Sequence, residues 1–237
     1  MPVVTQITQP DLQRPKEWFP AHALVFYQKD SESMCLAHPV LTTYAKPELG
    51  AARPLSHEQK AAIIQSLGVR SFTATRENTL AVSPNGSAWW RPPATAPLRF
   101  AAKYQGTEAI SCLNDIPVPL PGLVFIATHG RLSVYAVQGD TRPTPETMLC
   151  HAPFWNIFGN AQVCQGTTIY PKEITPDAQE AWEAAFFGSY FTGPSRSDRY
   201  LAWERSYQEL LEKAIADGAF PQDVLLPSKK TLQEALE

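Results

Sequence analysis

Residues 123–137 read LVFIATHGRLSVYAV, two apolar runs joined by His129-Gly130. Leu123–Thr128 and Leu132–Val137 are rich in branched and aromatic side chains, and a glycine-bearing turn between such runs predicts an antiparallel hairpin. In the second run Leu132, Val134 and Ala136 alternate with Tyr135, which puts them on opposite strand faces. An isolated hairpin is marginal in water, so further strands or helices must cover it.

The flanking sequence supplies them. Upstream, Leu80–Val82 and Ala88–Trp90 flank Pro84-Asn85-Gly86, where Asn-Gly favours positive φ at both turn positions. Leu98–Ala101 reads as another strand, and Leu24–Tyr27 and Met34–Leu36 as two earlier ones. Ser56 and Gln59 make a capping box for a helix with Ile63, Ile64 and Leu67 as its stripe and Gly68 as its end. Residues 1–22 read as an extended N-terminal arm. Downstream, Met148–Cys150 adds a strand. Thr175, Pro176 and Asp177 then start a helix, with Ala178, Ala181, Trp182, Ala185, Phe186 and Tyr190 on one stripe. A second helix is expected over 197–217, with Tyr200, Trp203, Tyr207, Leu210, Leu211 and Ala214 inward and Gly218 as terminator. Strands followed by helices give an α+β order rather than alternating βαβ. A single domain is read over 23–218, with residues 219–237 as a C-terminal tail.

Composition narrows the function. The 237 residues carry 20 Lys and Arg against 23 Asp and Glu, a net charge of −3, which argues against nucleic-acid binding driven by counterion release. No apolar run reaches the roughly 20 residues needed to span a bilayer, and the N-terminus lacks a signal-peptide layout, so a cytoplasmic protein is expected. Cys35, Cys112, Cys150 and Cys164 form no C-x-x-C pair, and in a reducing compartment they are free thiols. P-loop, dinucleotide-binding, H-E-x-x-H and G-x-S-x-G motifs are absent, and the histidines are scattered. Neither a metal nor a cofactor is expected. Trp89-Trp90 offers a surface for stacking bases, but reads better as a core residue beside a partly exposed neighbour.

The segment CHAPFWNIFGNAQVCQGTTIYP, residues 150–171, fits neither helix nor strand periodicity. Asn156, Gly159 and Asn160 invite turns, and Pro153 and Pro171 bracket the stretch. Cys164 follows Asn156 by eight residues. A thiol can act as nucleophile or acyl carrier, and a carboxamide N–H can donate to a developing oxyanion. Cys150 reads as buried structure. His151 is either a partner of Cys164 or a plain loop residue. No acid or arginine lies within the segment, which gives no strong case for a depressed thiol pKa and weakens a cysteine-protease reading.

This segment resembles the active-site stretch of ubiquitin-conjugating enzymes, in which His-Pro-Asn-[Ile/Val] is followed by Gly-x-[Ile/Val]-Cys with the same spacing of eight. Asn156, Ile157, Val163 and Cys164 match. Phe154 stands at the His, Trp155 at the Pro and Ala161 at the Gly, with Gly159 nearby. Those departures are similar to a bacterial branch, the PRTRC system protein B family (prokaryotic family D of the ubiquitin-conjugating-like superfamily). Its A-P-F-W-N-[Val/Ile] and V-C-x-G blocks match Ala152–Ile157 and Val163–Gly166. The resemblance extends over most of residues 23–195, through LVFY near the N-terminus, His38–Val40, the Trp pair and Arg142–Pro145.

The resemblance implies a ubiquitin-conjugating-like antiparallel β-meander flanked by helices, with extra N-terminal strands. It implies a transferase in a plasmid or mobile-element cassette that also encodes a ubiquitin-like protein, a ThiF-type activating enzyme, a JAB-type peptidase and a ParB-related protein. Cys164 would accept the C-terminal glycine of the ubiquitin-like protein as a thioester and pass it to an amine on an acceptor protein. Asn156 would hold the loop and steady the oxyanion. Phe154, Trp155, His151, Gly159 and Val163 would support the loop, with Phe154 or Trp155 bracing it by packing where the wider family has His. The alternative is a catalytically inactive module that docks the ubiquitin-like protein or assembles the cassette.

Overall fold

The structure, a computed structural model, describes residues 20–30, 32–43, 46–66, 74–104 and 106–237. The arm before residue 20, and Leu67 and Gly68 at the expected end of the first helix, lie outside the described residues. The chain gathers into two compact units, Met1–Phe72 and Thr73–Glu237. The single domain read over 23–218 is therefore shared between them.

The first unit holds β1 (His22–Lys29), β2 (Glu32–Thr43), β3 (Lys46–Leu49), β4 (Arg53–Pro54) and α1 (His57–Ser66). β2 pairs antiparallel with β1, β3 and β4, and Tyr27 lies opposite Met34, so the two strands read around these residues are one hairpin. His38 is buried with both ring nitrogens engaged: Nδ1 donates to Gly50 O at 2.8 Å and Nε2 accepts from Tyr27 Oη at 2.7 Å. The capping box forms as read, with Gln59 N–H on Ser56 Oγ and Ser56 N–H on Gln59 Oε1.

The second unit holds β5 (Thr79–Ser83), β6 (Gly86–Arg91), β7 (Ala94–Pro97), β8 (Arg99–Phe100), β9 (Pro117–Leu120), β10 (Gly122–Thr128), β11 (Arg131–Val137), β12 (Met148–His151), α2 (Gln179–Phe187), β13 (Tyr190–Phe191), α3 (Tyr207–Asp217), β14 (Pro227–Thr231) and α4 (Leu232–Leu236). Six strands form an antiparallel sheet in the order β14-β12-β11-β10-β6-β5. The fold is α+β, with the meander and flanking helices that the sequence led us to expect.

The β10–β11 hairpin is the centre of this sheet. Thr128 pairs with Arg131, and Gly130 takes the left-handed φ of +67° that the tight turn needs. Leu123, Phe125, Leu132, Val134 and Ala136 pack in one core with Trp182 and Phe186 of α2 and Leu210 and Leu211 of α3. Val124, Tyr135 and Val137 face the other way, against Leu149 and Leu232. Both faces of the hairpin are covered, which is why these runs are mostly apolar, Ser133 and Thr128 excepted, rather than alternating with polar residues. Burying each large apolar side chain here contributes about 1.5–3 kcal/mol.

Trp89 is fully buried, stacked on Phe125 with ring centroids 5.4 Å apart, and its indole N–H donates to Glu183 Oε1 at 2.8 Å. Trp90 is half-buried on the opposite face. Trp89 is core and Trp90 its partly exposed neighbour, as read.

The structure departs from the sequence reading at several places; Thr175, for one, makes no side-chain cap, and α2 starts at Gln179. Ser83 pairs with Gly86, leaving Pro84-Asn85 as the loop, and neither Asn85 nor Gly86 has positive φ. Proline fixes its own φ near −65°, so an Asn-Gly turn of mirror-image type is not what forms. Tyr190 does not continue the α2 stripe. The helix ends at Phe187, and Tyr190 is an exposed strand residue. The second helix begins at Tyr207 rather than near 197, because Ser206 and Glu209 make a reciprocal capping box and Leu201 bridges to Leu225 instead. Finally, residues 219–237 are not a loose tail. Phe220, Val224, Leu225 and Leu232 are buried, and β14 adds to the sheet beside β12. Among the described residues no helix is long and apolar enough to cross a membrane.

Candidate active site

The irregular stretch after β12 is built as a short hairpin on an aromatic base. Phe154 is buried against Phe186 at 5.3 Å and Phe191 at 6.0 Å, and Trp155 packs against Phe100 at 5.5 Å and Tyr207 at 5.2 Å between ring centroids. Tyr207 Oη also donates to Pro153 O at 2.5 Å. The buried Phe154 and the half-buried Trp155 thus pack on different aromatic partners, which leaves the backbone leading to Asn156 few ways to move.

From there the chain doubles back. Cys164 N–H donates to Asn156 O at 2.6 Å, Phe158 N–H to Gln162 O at 2.8 Å, and Ile157 bridges to Val163. The returning arm docks on β11: Val163 N–H donates to Leu132 O at 2.8 Å, and Val134 N–H donates to Ala161 O at 3.0 Å. β12 pairs with Tyr135 and Ala136 of the same strand. The chain therefore leaves the β11 edge at His151, crosses the aromatic base, and rejoins that edge at residues 161–163. Cys164 is the next residue, held at its backbone and half-buried.

Asn156 takes the left-handed φ of +59°, which a short amide side chain tolerates better than most. Its backbone N–H donates to Gly193 O at 2.9 Å. Its Nδ2 donates to Tyr190 O at 2.9 Å, and its Oδ1 accepts from Thr192 N–H at 3.1 Å and Thr192 Oγ1 at 2.9 Å. An amide nitrogen carries two hydrogens, and the bond to Tyr190 engages one.

Cys164 and Asn156 line the same open cleft of about 1060 Å³, whose walls include Lys103 and Tyr104, the turn Gln165–Ile169, and the segment Gly188–Tyr190. That is at the upper end of ordinary small-molecule pockets, and suits an extended chain end. Thr192 and Lys103 carry no signal in the sequence, and Tyr190 is read there only as part of a helix stripe. They lie 26 to 61 residues from Cys164 with no shared local pattern, and only the fold collects them.

The remaining expected site residues sort clearly. Val163 is buried and sets the register on β11. Gly159 has no positive φ, and a Cβ there would meet Asp198 Oδ1 at an ordinary 3.6 Å. The strained position is instead Ala161, at φ +68° and buried. A left-handed alanine costs about 1–2 kcal/mol, which burial of its methyl among Val124, Tyr135 and Leu149 offsets in part. Cys150 is buried, and burial pushes its thiol pKa up, as expected of an inert cysteine. Tyr170 is buried against Trp182, its hydroxyl has no hydrogen-bond partner among the described residues, and its pKa is pushed up to about 12 by burial and then by the charge of Cys164.

His151 lies beside Arg196. Its Nε2 lies 3.4 Å from Arg196 Nη2, and Arg196 is in turn paired with Asp198. Among the described residues no hydrogen bond joins it to Cys164. Burial and then the Arg196 charge hold its pKa below the usual histidine value. The unfolded chain titrates near 6.5, so the fold binds fewer protons than the unfolded state below that pH. The stabilising contribution of the neutral ring is complete above about 6.5 and is lost as pH falls through that value toward the folded pKa. Denaturation midpoints measured between pH 7.5 and 5 should therefore fall on the acid side, and His151→Gln should flatten the fall. An unchanged acid-side slope in the variant would place the proton uptake elsewhere.

A model of prokaryotic E2 family D matches residues 57–228. The chain belongs to that family. The match covers α1 and nearly the whole second unit, including the Asn156–Cys164 hairpin and the cleft. Neither a curated protein nor a solved structure matches the chain significantly. Membership of this E2 family gives a ubiquitin-conjugating-like assignment, with ubiquitin-like proteins and activating enzymes as the general class of partner.

Proposed function

We propose that this family D chain is an acyl carrier that takes the C-terminal glycine of a ubiquitin-like protein on Cys164 as a thioester and passes it to an amine. The observation that carries the reading is a half-buried cysteine fixed at its own backbone and lining a cleft that Asn156 also lines. In the first step Cys164 Sγ attacks the acyl carbonyl of a thioester on the activating enzyme, the enzyme's own C–S bond breaks, and its thiolate leaves and takes up the proton that Cys164 gives up. In the second step an amine attacks the new thioester, the C–S bond breaks, the thiolate leaves and the amine nitrogen gives up a proton. The second Asn156 Nδ2 hydrogen is the donor for the negative oxygen formed between those events. A protease-like thiol would want a histidine base at hydrogen-bond distance, and His151 is held by Arg196 instead. Acyl transfer between thiols needs no such base.

The resemblance read from the sequence gives this chemistry a setting: a plasmid or mobile-element cassette with a ThiF-type activating enzyme, in the cytoplasm. Mixing the purified chain with the ubiquitin-like protein, the activating enzyme and ATP should give a larger species on a non-reducing gel. Thiol reductant should remove it and Cys164→Ala should prevent it. A species that persists in Cys164→Ala overturns the assignment. A second reading, a docking module without chemistry, is favoured by the three bonds that tie the Asn156 side chain to Tyr190 and Thr192. Under it the ubiquitin-like protein binds equally well to Cys164→Ala and forms no reductant-sensitive species.

A further inference from the structure

Among the described residues that line the Cys164 cleft, Lys103 is the one charged side chain and the one amine. It is exposed, and its Nζ stands 5.4 Å from the ring centroid of Tyr104. The turn that carries it is tied down. Ala101 N–H donates to Phe191 O at 3.1 Å, Tyr104 N–H to Ala101 O at 3.2 Å, and Thr107 Oγ1 to Ala101 O and Tyr104 O at 2.5 and 2.6 Å. Phe191 lies between Tyr190 and Thr192, the residues that grip Asn156. The lysine turn and the cysteine hairpin are thus clamped to the same three residues of backbone, and both open on one cleft.

Resting on the thioester reading above, we propose that Lys103 is a built-in acceptor: an acyl group loaded on Cys164 passes to Lys103 Nζ of the same chain, leaving an amide. Neutral Nζ attacks the thioester carbonyl, the C–N bond forms, and the C–S bond breaks. Cys164 leaves as thiolate, and the proton shed by the nitrogen restores the thiol. Nothing is oxidised or reduced, and no further reactant is consumed. An amine tethered within the same cleft acts at an effective concentration on the order of millimolar or above, so an outside amine must exceed that to compete. No carboxylate lines the cleft among the described residues, so no fixed negative charge draws in or holds an outside lysine ammonium. The internal amine needs none.

The test uses the full chain and a synthetic peptide ending in Gly-Gly, supplied as its 2-mercaptoethanesulfonate thioester, so that neither natural partner is required. Intact mass with and without reductant, followed by peptide mapping, separates thioester from amide. The expected course is a reductant-labile adduct on Cys164, replaced over time by a reductant-resistant adduct on Lys103. Lys103→Arg keeps the positive charge but removes the amine. It should cut the resistant adduct at least tenfold while the labile one still forms. Cys164→Ala should leave Lys103 unmodified. If the labile adduct forms but the resistant one spreads over other lysines, or survives Lys103→Arg, the inference is wrong and the thioester reading stands. If no labile adduct forms, or Lys103 is acylated in Cys164→Ala, the route through Cys164 is wrong and the inference falls.

Discussion

Asn156→Ala should still accept an acyl group on Cys164 but release it to an amine about 10²–10³ times more slowly, the loss typical of one oxyanion donor. The argument is geometric. One Nδ2 hydrogen and the Oδ1 are committed to Tyr190 and Thr192, which fixes the amide plane before any acyl group arrives. On the proposed reading the remaining hydrogen is the donor to the developing charge. The same bonds also hold the fold, so alanine here loses stability as well: a left-handed alanine costs about 1–2 kcal/mol and each lost hydrogen bond about 1 kcal/mol. Thr192→Val separates the two effects. It removes the hydroxyl bond to Oδ1 while keeping the amide, and should lower stability with only a small change in discharge. Single-turnover discharge of preloaded chain, run below every denaturation midpoint, is the measurement. Wild-type discharge in a loaded Asn156→Ala chain would leave the amide a purely structural role.

Phe154→Ala has the largest expected effect on stability, a loss of about 3–5 kcal/mol. The ring is buried, and it meets Phe186, Phe187 and Phe191 from α2 and β13 at once. Removing it leaves a cavity under the backbone that leads to Asn156. Phe154→Leu restores most of the volume and should recover more than half of the loss. Denaturant unfolding of the three chains measures this directly. A drop below about 1 kcal/mol for alanine, the level of an ordinary surface or partly buried change, would mean that the aromatic base does not hold the segment.

The legibility of this chain in its sequence follows contact range. The β10–β11 hairpin and the Ser56–Gln59 box rest on neighbours a few residues apart, and each forms as read. The Asn156–Cys164 spacing was legible because it spans one hairpin. Missed features depend on distant partners. β14 exists because Met148–Cys150 offers an open edge to residues some 80 positions later, and no local pattern in PSKKT announces it. Apolar periodicity extended the second helix to residue 197 because Tyr200 and Trp203 do pack on the core, but from irregular backbone. Ala161 was legible only as a missing glycine. Its positive φ shows that the backbone there still has the shape a glycine would favour.

The most direct measurement of the central proposal is the mass of the chain after charging with its ubiquitin-like partner, the activating enzyme and ATP, with the attachment point mapped. The expected result is a gain of one partner less one water, located at Cys164, lost on treatment with reductant. In Cys164→Ser the expected adduct is an ester that reductant does not remove but alkali does. Attachment at Cys35, Cys112 or Cys150, or no adduct under conditions where the partner demonstrably binds, would contradict it.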